Sequence, residues 1–191
     1  ENACSALVDL TAHFDVVCDV SAPSKDAFKD DIQRLEVGSD SASISGGGLS
    51  IWAAQLLRLP HQESLACIDL SAVQVTNASL LGAGPRLFAN VLSQRAPFAD
   101  VKLLLTATGK DKNDGLTTAF LCNAEEIVVK DKVGDKIAFL TGFLQLNESL
   151  LSLNVSNTGM SHCGALAVAN ALSRSRSLQC LNVSGNRLLS H

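Results

Sequence analysis

Apolar residues recur along this chain in short strings with a fixed internal spacing. In LLSLNVS, from Leu150, they occupy the first, fourth and sixth places; LQCLNVS, from Leu178, repeats the arrangement 28 residues later. The same form fits LACIDLS from Leu65 and IQRLEVG from Ile32, and two degenerate versions, FADVKLL from Phe98 and AEEIVVK from Ala124, fill the interval. Side chains alternate between faces along a strand, so positions 4 and 6 point into a core and positions 3, 5 and 7 point away from it. Each string therefore predicts a short strand.

A second pattern follows three of the strings. In ISGGGLSIWAAQL (44–56), LLGAGPRLFANVL (80–92) and MSHCGALAVANAL (160–172), a large apolar residue stands four places before a glycine and a leucine eight places after it. Gly48, Gly84 and Gly164 are expected to open helices, and Pro85 sits where a first turn tolerates a missing N–H. Leu166, Val168, Ala169 and Leu172 recur at helical spacing and predict the inward face of the last helix. The unit is thus a strand, a turn and a helix, which cannot bury its apolar side alone. Stacked units share one core, with starts near 32, 65, 98, 124, 150 and 178. Residues 1–31 read as a degenerate first repeat or a partial N-terminal cap. Residues 32–191 read as the array, and no polar cap closes its last string, so it is expected to continue beyond the C-terminal end.

These repeats resemble the leucine-rich repeat family, in its ribonuclease-inhibitor-like class with repeats of about 28 residues. The residues that carry the resemblance are LLSLNVSNTGM followed by GALAVANAL, and LQCLNVSGNRL. The resemblance implies an α/β solenoid, a right-handed β-α superhelix with a parallel concave sheet and convex helices. It also places Asn186 at the family's ladder-asparagine position, where the side chain satisfies turn backbone, with Thr158 standing there one repeat earlier.

Composition narrows the chemistry. Of 191 residues, 47% are hydrophobic but only 4% aromatic, so Leu, Val, Ile and Ala must build the core. A net charge of −4 argues against general attraction to nucleic acid, and no apolar run of membrane-spanning length occurs. The six cysteines, at 4, 18, 67, 122, 163 and 180, show no paired spacing for zinc and read as small buried hydrophobes. TATGKDK (106–112) lacks the glycine and hydroxyl residue of a phosphate loop. The glycines of SISGGGLS (43–50) read as a loop into a helix rather than an anion site. His13, His61, His162 and His191 have no second ligand or nucleophile at diagnostic spacing, and Trp52 reads as a core residue. Neither a catalytic residue nor a cofactor is expected.

Asn77, Asn147, Asn154 and Asn182 each satisfy the N-x-S/T pattern of a glycosylation acceptor. Because the repeat itself writes LNVS whenever Asn and Ser fill its polar slots, these sites read as structure first. The candidate partner-binding face is the set of outward positions: Arg34, Glu36, Asp69, Ser71, Asp100, Lys102, Glu126, Lys130, Asn154 and Asn182. With rows set by position number, Lys102 is expected beside Asp69. The function expected is a non-enzymatic interaction or scaffold module, intracellular (cytoplasmic or cytoskeletal), binding a protein partner without nucleic acid or membrane insertion. Two alternatives stand beside it: a regulator of a GTPase or of the cytoskeleton, and an extracellular receptor ectodomain.

Overall fold

The computed structural model describes residues 34–36, 65–73, 75, 84–94, 100–106 and 116–188. Among these residues the elements follow in the order β1 (Arg34–Glu36), β2 (Cys67–Asp69), α1 (Gly84–Gln94), β3 (Lys102–Leu104), α2 (Thr118–Asn123), β4 (Glu126–Val128), α3 (Ala138–Leu146), β5 (Ser152–Asn154), α4 (His162–Leu172) and β6 (Cys180–Asn182), each strand three residues long. A 3-10 turn, Gly134–Ile137, leads into α3. The chain is a mixed α/β structure with parallel strands in two small sheets, β1-β2-β3 and β4-β5-β6. The expected first repeat or cap (1–31), the helix around Gly48 and Trp52, and Asn77 lie outside the described residues.

Burial follows the spacing of the apolar strings. Ile68, Ile127 and Leu153, at position 4, are 0%, 0% and 1% exposed, and Leu70, Val129 and Val155, at position 6, are equally sealed. Leu181, the equivalent residue of β6, is 47% exposed, because nothing among the described residues lies over it.

One sheet was expected and two are present. The cause is local to β3. Alternate residues of a strand bond to opposite sides, and β2 takes one edge of β3, with the Lys102 N–H donating to Ala66 O at 2.9 Å and the Leu70 N–H donating to Leu104 O at 2.8 Å. The other edge is occupied by Leu116–Thr118 running antiparallel. Leu103 N–H donates to Leu116 O and Thr118 N–H to Val101 O, both at 3.0 Å, while Val101 N–H donates to the Thr118 hydroxyl at 3.1 Å. A parallel β4 would need those same groups. Thr117 then caps α2, its hydroxyl accepting from Phe120 N–H at 3.3 Å.

The third string also sits two residues later than expected. Its strand is Lys102–Leu104, not one centred on Val101, so Lys102 is registered with Cys67, and Leu104 with Asp69. A shift of two preserves the faces, since strand periodicity is two: Val101, Leu103 and Leu105 are all buried.

The helices pack over the strands' apolar positions and close one core with them. Because α2 has only six residues, α1 and α3 meet directly, with α2 touching both. Phe88 of α1 meets Phe139 and Phe143 of α3 edge-on, at centroid distances of 6.5 and 6.3 Å. With α1 on one side and α4 on the other, α3 is buried around nearly its whole circumference, which is why AFLTGFL is apolar but for Thr141, whose hydroxyl donates to Ala138 O at 2.6 Å. The buried face of α4 is Gly164, Ala167, Val168 and Ala171. This corrects the expected face: Leu166 and Ala169 point to solvent. The start is corrected too, since Ser161 caps α4 and His162 opens it, two residues before Gly164.

Closest approach of α1 and α3 occurs at Gly142, where an added Cβ would stand 1.9 Å from Pro85 O and 2.8 Å from the Ala89 Cβ. Backbone blocks one side, so no rotamer change relieves the clash. In an unhindered helix Gly→Ala stabilises by about 1 kcal/mol; here Gly142→Ala should instead destabilise, by about 1–3 kcal/mol. Urea denaturation reads the sign directly.

Candidate partner-binding face

Cross-strand register sets the outward residues in rows, and the break at β3 divides each row in two. The first sheet aligns Arg34, Cys67 and Lys102, then Glu36, Asp69 and Leu104. The second aligns Glu126, Ser152 and Cys180, then Val128, Asn154 and Asn182. Asp100 precedes β3 and is exposed, so it joins neither row, and Lys102 stands beside Cys67 rather than Asp69. Glu126 is exposed on β4, and Lys130 is exposed just past it. The first sheet thus carries a charged residue on each strand, while the second sets Glu126 and Val128 on β4 and amides, a hydroxyl and a thiol on β5 and β6.

Position 5 has a structural task. Asp69 Oδ1 accepts from Ser71 N–H at 2.9 Å, Asn154 Oδ1 from Ser156 N–H at 3.0 Å, and Asn182 Oδ1 from Ser184 N–H at 3.1 Å. Each is an Asx turn, in which a short side chain bonds the backbone two residues on and bends the chain out of the strand. The sequence Asn-Val-Ser is therefore a strand-ending device, and Asp69-Leu70-Ser71 is its acidic version. Asn147 closes a turn in the same way, accepting from Ser149 N–H at 2.8 Å. It is 4% exposed, and its Nδ2 donates to Leu121 O at 3.0 Å and Ala124 O at 2.9 Å. That nitrogen is the one a glycan would occupy, so a sugar at Asn147 is incompatible with this turn.

Three further side chains hold neighbouring units together. Asn186 Nδ2 donates to Val155 O at 2.7 Å and Val183 O at 2.9 Å, and its Oδ1 accepts from Met160 N–H at 3.1 Å. The Thr158 hydroxyl, wholly buried, stands 3.0 Å from the same Oδ1 and 3.1 Å from Val155 O. Asp135 reaches the next unit, its Oδ1 accepting from Ser161 N–H at 2.9 Å and its Oδ2 from the Ser161 hydroxyl at 2.7 Å. Ser161 in turn accepts from Cys163 N–H at 3.1 Å as the cap of α4. Gly164 allows this approach: a Cβ there would lie 2.6 Å from Asp135 Oδ1.

Lys136 crosses the divide between the two sheets, its Nζ donating to Ser71 O just past β2. Partial burial pulls its pKa below the ordinary lysine value, and the charge of Asp69 opposes that shift. Sequence reasoning found neither Asp135 nor Lys136. Both lie in KDKVGDK, which lacks the repeat's usual turn residues, and Lys136 finds its partner 65 residues away.

The cysteines differ from expectation. Cys67, Cys122 and Cys163 are half-buried and Cys180 is exposed, while Cys4 and Cys18 lie outside the described residues. Burial raises the Cys122 thiol pKa, against a hydrogen bond from Ser93. Among the described residues no trio of His, Cys, Asp or Glu is grouped to hold a metal ion. No helix among them is long and apolar enough to cross a membrane.

Removing Asn186 strips partners from both Val155 O and Met160 N–H, whereas removing Asn154 opens one local turn. Asn186→Ala should cost about 1–3 kcal/mol and Asn154→Ala about 0.5–1 kcal/mol; equal losses in urea melts would contradict the ladder role. For Lys136 the depressed pKa means the unfolded chain holds the proton to higher pH than the folded one. Stability measured relative to Lys136→Met should therefore rise as pH climbs through the interval just below the ordinary lysine value. A flat difference across that interval would show that burial does not perturb this amine. No family model matches the chain, and no curated protein matches it.

Proposed function

We propose that this chain is a leucine-rich-repeat module of the ribonuclease-inhibitor-like class, without enzymatic activity, that binds a protein partner inside the cell. The observation that carries the reading is the repeated bond between successive units. Val129 N–H donates to Asn154 O and Val155 N–H to Asn182 O, both at 2.9 Å, and Asn186 ties the turns beside them. A surface held at that spacing over several units is stiff, and stiffness lowers the entropy lost when a partner docks. The strand face offers a charged patch around Asp69 and Lys102, on a sheet whose first strand carries Glu36 in sequence, and a neutral patch around Ser152, Asn154 and Asn182. Partner contacts on the first patch would be salt-sensitive, and those on the second would be hydrogen bonds. The intracellular placement draws support from the locked Asn147 amide.

Affinity capture with the full chain, followed by cross-linking of the recovered complex, tests the reading. Cross-links should reach Lys102 and Lys130, and capture should weaken with Glu36→Lys. Asp69→Asn is the matched variant, because it removes the charge and keeps the Asx acceptor. Cross-links that miss both Lys102 and Lys130, with capture indifferent to both variants, would reject the strand face as the binding surface.

A further inference from the structure

The link between α4 and β6 reads Ser173-Arg174-Ser175-Arg176-Ser177, and the strand-face reading makes no use of it. In a chain of net charge −4 it sets two arginines, both exposed, one and three residues before Ser177. The segment is neither helix nor strand, so its side chains are presented without a fixed backbone ladder. Beside it lies an open depression of about 530 Å³, lined by Arg174, Ser175, Arg176 and Ser177 from the link and by Asn147 and Glu148 from the preceding turn. The Ser177 hydroxyl is half-buried and makes one bond between units, donating to Leu150 O at 2.8 Å. Immediately after it, Gln179 and Cys180 N–H both donate to Leu151 O, at 2.8 and 3.0 Å, and begin the pairing of β6 with β5.

We propose that Ser177 is a phosphorylation site, modified by a protein kinase whose peptide groove carries carboxylates, and that the phosphate loosens β6 from β5. Arginines three and one residues before the acceptor match such a groove by charge. In the reaction the Ser177 Oγ attacks the γ-phosphorus of ATP, the bond to ADP breaks, and the hydroxyl proton passes to the kinase's base. The ester has no proton to give Leu150 O, and a phosphate of nearly two negative charges is repelled by that carbonyl. The side chain must turn out into the depression, where Arg174 and Arg176 flank it. The tie that starts the β5–β6 ladder is lost.

The native chain, incubated with the catalytic subunit of cyclic-AMP-dependent protein kinase and Mg-ATP, tests this. Mass spectrometry should place the phosphate on Ser177. It should disappear in Ser177→Ala, and the rate should fall roughly tenfold in Arg174→Gln, as expected when one charge-assisted contact is removed from the transition state. In the phosphorylated chain, hydrogen exchange should quicken at the Gln179 and Cys180 amides beyond its rate in Ser177→Ala, and stay unchanged across β4. Phosphate only on Ser173 or Ser175, or none on the folded chain while a peptide of residues 170–182 is modified, would overturn the site. Modification of Ser177 with exchange no faster than in the unmodified chain would overturn the loosening.

Discussion

A strand of three residues leaves most of the backbone around it outside any ladder, and buried backbone groups must still find partners. In this chain they find them in the next unit. Asn186 serves Val155 O and Met160 N–H, Asp135 serves Ser161, and Asn147 serves Leu121 O and Ala124 O. Each bond joins residues 23 to 31 apart, so each is a contact between one strand-turn-helix unit and its neighbour. The apolar core supplies the bulk of the driving force, but it is not directional. The side-chain amides and carboxylates determine how one unit sits on the next, because each has a donor or acceptor to meet at hydrogen-bond distance.

The same requirement explains why the strands divide. Once Leu116–Thr118 bonds to the outer edge of β3, the Val101 and Leu103 N–H groups and Val101 O on that edge are already taken. The third unit keeps only a six-residue helix, which lets α1 and α3 close on each other at Gly142. Lys136 then spans the divide, reaching Ser71 O from the turn that leads into α3. The break in the strands is thus bridged by helix packing and by one amine. Any partner lying along the strands meets two patches of different chemistry rather than one graded surface.

Much of this was legible where the repeat is regular. The strings LLSLNVS and LQCLNVS gave the right strands, faces and 28-residue register, because a period-two strand and a fixed repeat leave little freedom. Asn186 was legible only through the resemblance to leucine-rich repeats, which implies a turn-satisfying asparagine at that position. In the degenerate middle, FADVKLL carries apolar residues at two compatible offsets, so the strand slipped by two without exposing any of them. The helical face of α4 differs from the expected one because α4 is apolar on adjacent faces, so helical spacing alone does not choose between them. Its neighbour is so close that Gly164, Ala167 and Ala171 fill the contact, and Leu166 is left outside.

The repeated spacing of Leu, Val and Ile determined by itself that there would be short strands with an apolar side, and Asn-Val-Ser and Asp-Leu-Ser determined where they turn. Those are local properties, set by the alternation of side chains and by a side chain that bonds backbone two residues away. Which strand pairs with which, where the sheet is interrupted, and which lysine or aspartate reaches a neighbouring unit were decided only by the tertiary structure. Such contacts pit one backbone edge against another, as Leu116–Thr118 excludes β4 from β3, and the winner depends on groups that lie far apart in the chain.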